Sequence, residues 1–85
     1  MITVAKKIQE LYNTGAIHEG IAMAKRHIRE YGESEGESPY VIYLLAKGLF
    51  AIGFYYEAHY WVNRTLADPE NTIPLRERIE RHCGV

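Results

Sequence analysis

Moved along itself by 38 positions, the chain superimposes Gly15 on Gly53, Ile17 on Tyr55, Gly20 on Ala58, Ala24 on Val62 and Ile28 on Leu66. The shared pattern is a turn glycine, an apolar residue two positions later, and then a small residue. Self-similarity on this scale marks a chain built from stacked supersecondary units, none of which can bury its apolar face alone. The periodicity within each unit is helical. Val4, Ile8 and Leu11 recur as one face of an amphipathic helix. So do Ile17, Ile21, Ala24 and Ile28, with Lys25, Arg26 and Arg29 on the other side. The sequence predicts an all-α fold.

Turn chemistry divides the chain further. Gly15 stops the first helix. The run Gly32-Glu33-Ser34-Glu35-Gly36-Glu37 has no apolar residue to bury and reads as a solvated connector. Ser38-Pro39 is a helix start, because the serine hydroxyl can accept from an early N–H and proline at the first helical position sacrifices no bond. That helix is expected to reach about Ile52, with Gly53 at the turn. A fourth helix is expected over 55–67, closed by Asp68-Pro69, and a fifth opens at Pro74 with Leu75, Ile79 and Cys83 on its core face. Tyr40 to Tyr56 is almost continuously apolar, but Lys47, Gly48 and Gly53 make it a buried central helix and turn rather than a bilayer span. With 85 residues the chain is one domain: hairpin 2–31, hairpin 39–67 and terminal helix 74–83.

The composition limits function. Net charge is -1, and basic residues alternate with acids, as in Lys25-Arg26-His27-Ile28-Arg29-Glu30, so no nucleic-acid partner is expected. The single cysteine, Cys83, cannot form an internal disulfide and suits a reducing compartment. Met1 leads directly into a segment carrying a lysine pair and a glutamate, unlike a signal peptide. Cys83 has no evident base, no phosphate-cradling glycine motif is present, and adjacent His82 and Cys83 point to different helix faces. No catalytic residue, metal or cofactor is expected, and the chain reads as a binding protein rather than an enzyme.

The repeat resembles the tetratricopeptide repeat, whose usual period is about 34 residues. The surplus falls in the acidic loop 32–37. The resemblance implies about five antiparallel helices in a right-handed superhelical bundle. Ala46, Gly48 and Ala58 supply the small residues at helix crossings, while Gly20 and His27 stand where the repeat usually has alanine. A narrower resemblance starts at Ile17-His18-Glu19-Gly20-Ile21. It continues through Leu45-Ala46-Lys47-Gly48-Leu49-Phe50, Tyr55 and Ala58, Val62 and Leu66, and Asp68-Pro69-Glu70-Asn71. These elements are similar to the mitochondrial fission protein 1 family, over about 17–83. That family implies a helical domain on the cytosolic face of the mitochondrial outer membrane, and also of peroxisomes, held by a C-terminal span. Its concave surface recruits fission adaptors or a dynamin-type GTPase. The family's extra N-terminal helix and its hydrophobic tail have no counterpart in this sequence, so a membrane is reached only through such a tail.

The candidate binding face lies on the third helix. Tyr40, Tyr43, Lys47 and Phe50 share a face distinct from the core stripe Ile42, Leu45, Ala46 and Leu49, and Gln9 and Tyr12 of the first helix sit beside it. Aromatic side chains with polar tips anchor interfaces well. The face either grips a partner helix or extended segment, or is covered by the N-terminal helix that the family has, or packs as core or as an interface between two copies. Trp61 is expected to pack on the terminal helix, and His59 to be partly buried and hydrogen-bonded. The alternative function is a short scaffold or chaperone-adaptor subunit of another complex.

Overall fold

The computed structural model describes residues 3–84, and every regular element among them is helical: α1 (Val4–Asn13), α2 (Ile17–Tyr31), α3 (Ser38–Ala51), α4 (Tyr55–Val62) and α5 (Pro69–Cys83). The internal repeat is written into the backbone. Gly15 and Gly53 both have φ 87°, in the left-handed region that glycine enters without steric cost. The flanking residues match as well: Thr14 and Ile52 have φ,ψ of -93°,4° and -98°,8°, and Ala16 and Phe54 have -85°,58° and -86°,70°. The same carbonyls are satisfied, with Ala16 N donating to Leu11 O at 2.8 Å and Phe54 N to Leu49 O at 2.9 Å. Two turns 38 residues apart are therefore one structure used twice.

Each helix packs on the next, and α1 and α5 also touch α3, so α1, α3 and α5 form one row with α2 and α4 behind it. Between α2 and α4 the contact is made by long side chains, with Lys25 Nζ 2.7 Å from Glu57 Oε2. The core centres on α3, where Val41, Ile42, Leu44, Leu45 and Ala46 are fully buried, joined by Ile8, Ala24, Ala58, Val62 and Ile79. This is the buried central helix expected over the apolar run. No helix among the described residues is long and apolar enough to cross a membrane.

A third registration extends the repeat. A shift of 34 positions carries buried Ser38, Val41, Leu45 and Leu49 of α3 onto Thr72, Leu75, Ile79 and Cys83 of α5, of which the first three are buried and Cys83 is half-buried. The buried positions of the terminal helix thus follow the pattern of α3. Its buried stripe of Leu75, Ile79 and Cys83 is the one expected from the sequence.

Four expectations are corrected. First, α4 ends at Val62, not at residue 67. Asn63 Nδ2 donates to His59 O at 3.0 Å, and buried Thr65 Oγ1 donates to Pro39 O at 2.6 Å, so side chains take over where the helical ladder would have continued. The helical phase is lost there, and Leu66, which the 38-residue shift sets on core-facing Ile28, is 89% exposed. Second, α5 starts at Pro69 rather than Pro74, with Thr72 Oγ1 donating to Ala67 O at 2.6 Å across its first turn. Pro74 lies inside the helix. Third, Ser38 makes no cap hydrogen bond, and its buried hydroxyl has no partner. Fourth, the acidic loop is tied down at both ends. Glu37 Oε1 accepts from Ala5 N at 3.1 Å, placing a carboxylate at the positive end of α1 beside the Thr3 cap. Glu33 takes Arg64 in a two-pronged pair at 2.7 and 3.0 Å.

Candidate functional site

Helical spacing places Tyr40, Tyr43, Lys47 and Phe50 on the side of α3 that faces along the row of α1, α3 and α5. The structure joins them into one surface with Gln9. Gln9 Nε2 donates to the Tyr40 hydroxyl at 3.0 Å, and the Tyr40 and Tyr43 rings lie 5.6 Å apart. Tyr43, Lys47 and Phe50 then form the α3 wall of a surface depression of about 460 Å³ whose other wall is α5, contributed by Asn71, Pro74 and Arg78. Tyr43 is 7% exposed and acts as wall rather than handle. Burial, then the neighbouring Tyr40 and Asp68, hold its hydroxyl above the ordinary tyrosine range. Lys47 is exposed. Phe50 is half-covered, with Tyr55 and His82 ring centroids at 5.5 and 5.2 Å and the Arg78 guanidinium 5.2 Å from its own.

Tyr12 is not in this depression. Its hydroxyl donates to Leu44 O at 2.7 Å, and its ring lies against Gly20 of α2 and Gly48 of α3. A Cβ at Gly20 would come within 2.7 Å of Tyr12 Cδ1; one at Gly48 would come within 2.7 Å of Tyr12 Cζ and 3.0 Å of Ile21 Cγ1. Neither glycine has a positive φ, so both are there for space. Gly20, which looks like a departure from the repeat when read alone, is the socket of Tyr12. Burial raises the Tyr12 hydroxyl well above its usual range.

Tyr12 and Phe50 occupy the same position in successive units, and so do Gln9 and Lys47. Across the two seams the partners change. Tyr12 meets Leu44 and Gly48, whereas Phe50 meets their counterparts Arg78 and His82. Gln9 meets the Tyr40 hydroxyl, and the counterpart of Tyr40 is Pro74, which offers Lys47 no hydroxyl. The α1–α3 seam is closed by a ring over glycine and two hydrogen bonds. The α3–α5 seam has a histidine in place of the glycine and a phenylalanine in place of the tyrosine, and it stays open as the depression.

A helix opening at Pro74 leaves Asn71 outside the α5 wall and breaks the spacing that would single the wall out. Begun at Pro69, it places Asn71, Pro74 and Arg78 at i, i+3 and i+7 on one face, the spacing that identified the α3 wall. Trp61 lines a shallow surface with Ile28 and Arg29 of α2, its ring edge-on to Tyr60 at 5.1 Å. His59 is half-buried, as expected, but the hydrogen bond expected of it is not formed to Glu80, whose Oε2 lies 3.8 Å from Nε2. His82 Nδ1 lies 2.9 Å from Arg78 O. Among the described residues no three His, Cys, Asp or Glu side chains converge as a metal site would require.

Compared with protein-family models, with curated proteins and with solved structures, the chain gives no match.

Proposed function

We propose that the chain is a protein-binding module of the tetratricopeptide-repeat type that holds a segment of a partner protein in the seam between α3 and α5. The observation that carries this reading is the unsealed second seam. One pair of equivalent helices closes its seam with Tyr12, Gly20 and Gly48, while the next presents Tyr43, Lys47 and Phe50 beside a depression of about 460 Å³. A 38-residue turn repeat and a 34-residue helix registration support the repeat assignment. The module binds rather than catalyses.

Within that class, the resemblance of 17–83 to the mitochondrial fission protein 1 family favours an adaptor that recruits a fission adaptor or a dynamin-type GTPase to the outer face of mitochondria, with peroxisomes as the family's second site. The test is direct binding between the purified chain and those two proteins, repeated with Phe50→Ala and Lys47→Glu. Binding that both substitutions weaken, with helicity unchanged, supports the adaptor. Binding that survives both places the site elsewhere. Absence of binding to either protein moves the reading to a scaffold or chaperone-adaptor subunit of another complex. Sequencing the gene beyond codon 85 adds an independent line, since an apolar run of about 20 residues there favours the anchored adaptor.

A further inference from the structure

The chain carries a net charge of only -1. Away from the α3–α5 seam, Lys25 pairs with Glu57, Arg64 pairs with Glu33, and His59 approaches Glu80. The two cations of the seam, Lys47 from α3 and Arg78 from α5, take part in no ion pair among the described residues. They flank Phe50: Lys47 is one turn before it on the same helix, and Arg78 lies over its ring at 5.2 Å. No acid among the described residues lines the depression, and Asp68, which influences Tyr43, is held by Asn71 Nδ2 at 2.7 Å. In the closed seam the position of Lys47 is filled by Gln9, whose amide is satisfied by Tyr40; in the open seam the donor has no acceptor.

Resting on the binding reading above, we infer that the segment accepted by the α3–α5 seam is acidic. It sets an apolar side chain against Tyr43 and Phe50 and places side-chain carboxylates between Lys47 and Arg78. A carboxylate there replaces water around two cations with charge-assisted hydrogen bonds, and Arg78 offers a planar fork suited to it. The apolar anchor supplies contact area, and the two cations set orientation and exclude basic segments. Because the depression runs between two helices rather than ending in a closed pocket, the acids are side chains of a segment that passes along it, not a chain terminus.

The experiment selects random linear peptides displayed on phage against the full chain and measures the enriched sequences as synthetic peptides. The expected winners combine a large apolar residue with Asp or Glu. Lys47→Glu with Arg78→Glu weakens them roughly tenfold or more. Lys6→Glu with Arg26→Glu, the same change in net charge on other helices, leaves affinity unchanged. Replacing the peptide's acids by lysine shifts its preference to the charge-reversed chain, and amidating the peptide's C-terminus changes nothing. Enriched peptides that are neutral or basic, yet lost on Phe50→Ala, overturn the acidic inference while the groove stands. Loss of binding on amidation overturns the choice of side-chain carboxylates. If no peptide is enriched, or binding ignores both Phe50→Ala and the charge reversal, the groove reading falls and this inference falls with it. The charge-reversal pair is at the surface, so the comparison holds even where Phe50→Ala disturbs folding.

Discussion

The two seams of the row α1, α3, α5 are built from equivalent positions and end in opposite states. At the first, the Tyr12 ring is wedged between Gly20 and Gly48, with its hydroxyl on Leu44 O at 2.7 Å. At the second, Phe50 has no hydroxyl, faces His82 where the first seam has glycine, and lies under Arg78. The difference teaches how a repeat divides labour. A small residue opposite a large ring spends a helix face on stability, while bulky and charged residues at the same positions keep the next face available. Stability and binding can therefore be perturbed separately, and the size of each perturbation tests the division.

The largest effect is expected at the glycines. Alanine in place of glycine in a helix normally stabilises by about 1 kcal/mol. At Gly48 the sign should reverse, because the added Cβ meets both Tyr12 and Ile21 and the ring is held by its hydrogen bond. Overpacking of this kind costs about 1–3 kcal/mol, which for a domain of this size lowers the melting temperature by roughly 4–8 °C per kcal/mol. Gly20→Ala should behave similarly. Thermal melts that show either variant more stable than the parent would remove the socket from the account.

Next in size is the Tyr12 hydroxyl itself. Tyr12→Phe keeps the ring and deletes the bond to Leu44 O, costing about 1 kcal/mol. The pH dependence gives a second handle. Burial raises the folded-state value of this hydroxyl above its unfolded value, near 10. Its contribution is then complete below about pH 10 and is lost as pH rises toward the folded-state value. Tyr43 is raised too, by burial first, so the variant should show a shallower alkaline loss rather than none. Urea midpoints measured from pH 8 to 11 would reveal an unchanged slope if Tyr12 were solvated.

These effects also mark what the sequence could disclose. The α3 wall is legible because Tyr43, Lys47 and Phe50 recur at helical spacing apart from the core stripe, and the two glycine turns are legible because φ 87° favours glycine. Sequence spacing groups Tyr12 with the binding face because its neighbours in space, Gly20 and Gly48, lie on two other helices, and no local pattern joins the three. The junction 63–72 is illegible in the sequence for a different reason. Asn63, Thr65 and Thr72 are compatible with helix or loop, and tertiary hydrogen bonds decide between them. Asp68-Pro69 likewise serves either as an end or as a beginning.

Thr65→Val tests that junction with a smaller expected cost. The hydroxyl bonds Pro39 O at 2.6 Å from a buried site, and valine keeps the shape without the donor. A loss of about 0.5–1 kcal/mol is expected, and no loss would mean that the end of α4 is fixed by something other than this bond.

The smallest expected effect separates two accounts of the second hairpin. In the repeat alignment Leu66 matches Ile28, a buried residue, and a core leucine replaced by a small or charged side chain costs about 2–5 kcal/mol. In the structure α4 has already ended, the turn through Thr65 has rotated the chain, and Leu66 is 89% exposed. Leu66→Lys should then change stability by no more than about 0.5 kcal/mol, while Val62→Ala, one turn earlier and fully buried, costs a measurable amount. Equal destabilisation by the two would mean that the helix continues past Val62 and that the repeat is regular after all. A silent Leu66→Lys beside a costly Val62→Ala would place the end of regular packing between them, where side-chain hydrogen bonds to Pro39 and His59 replace the helical ladder.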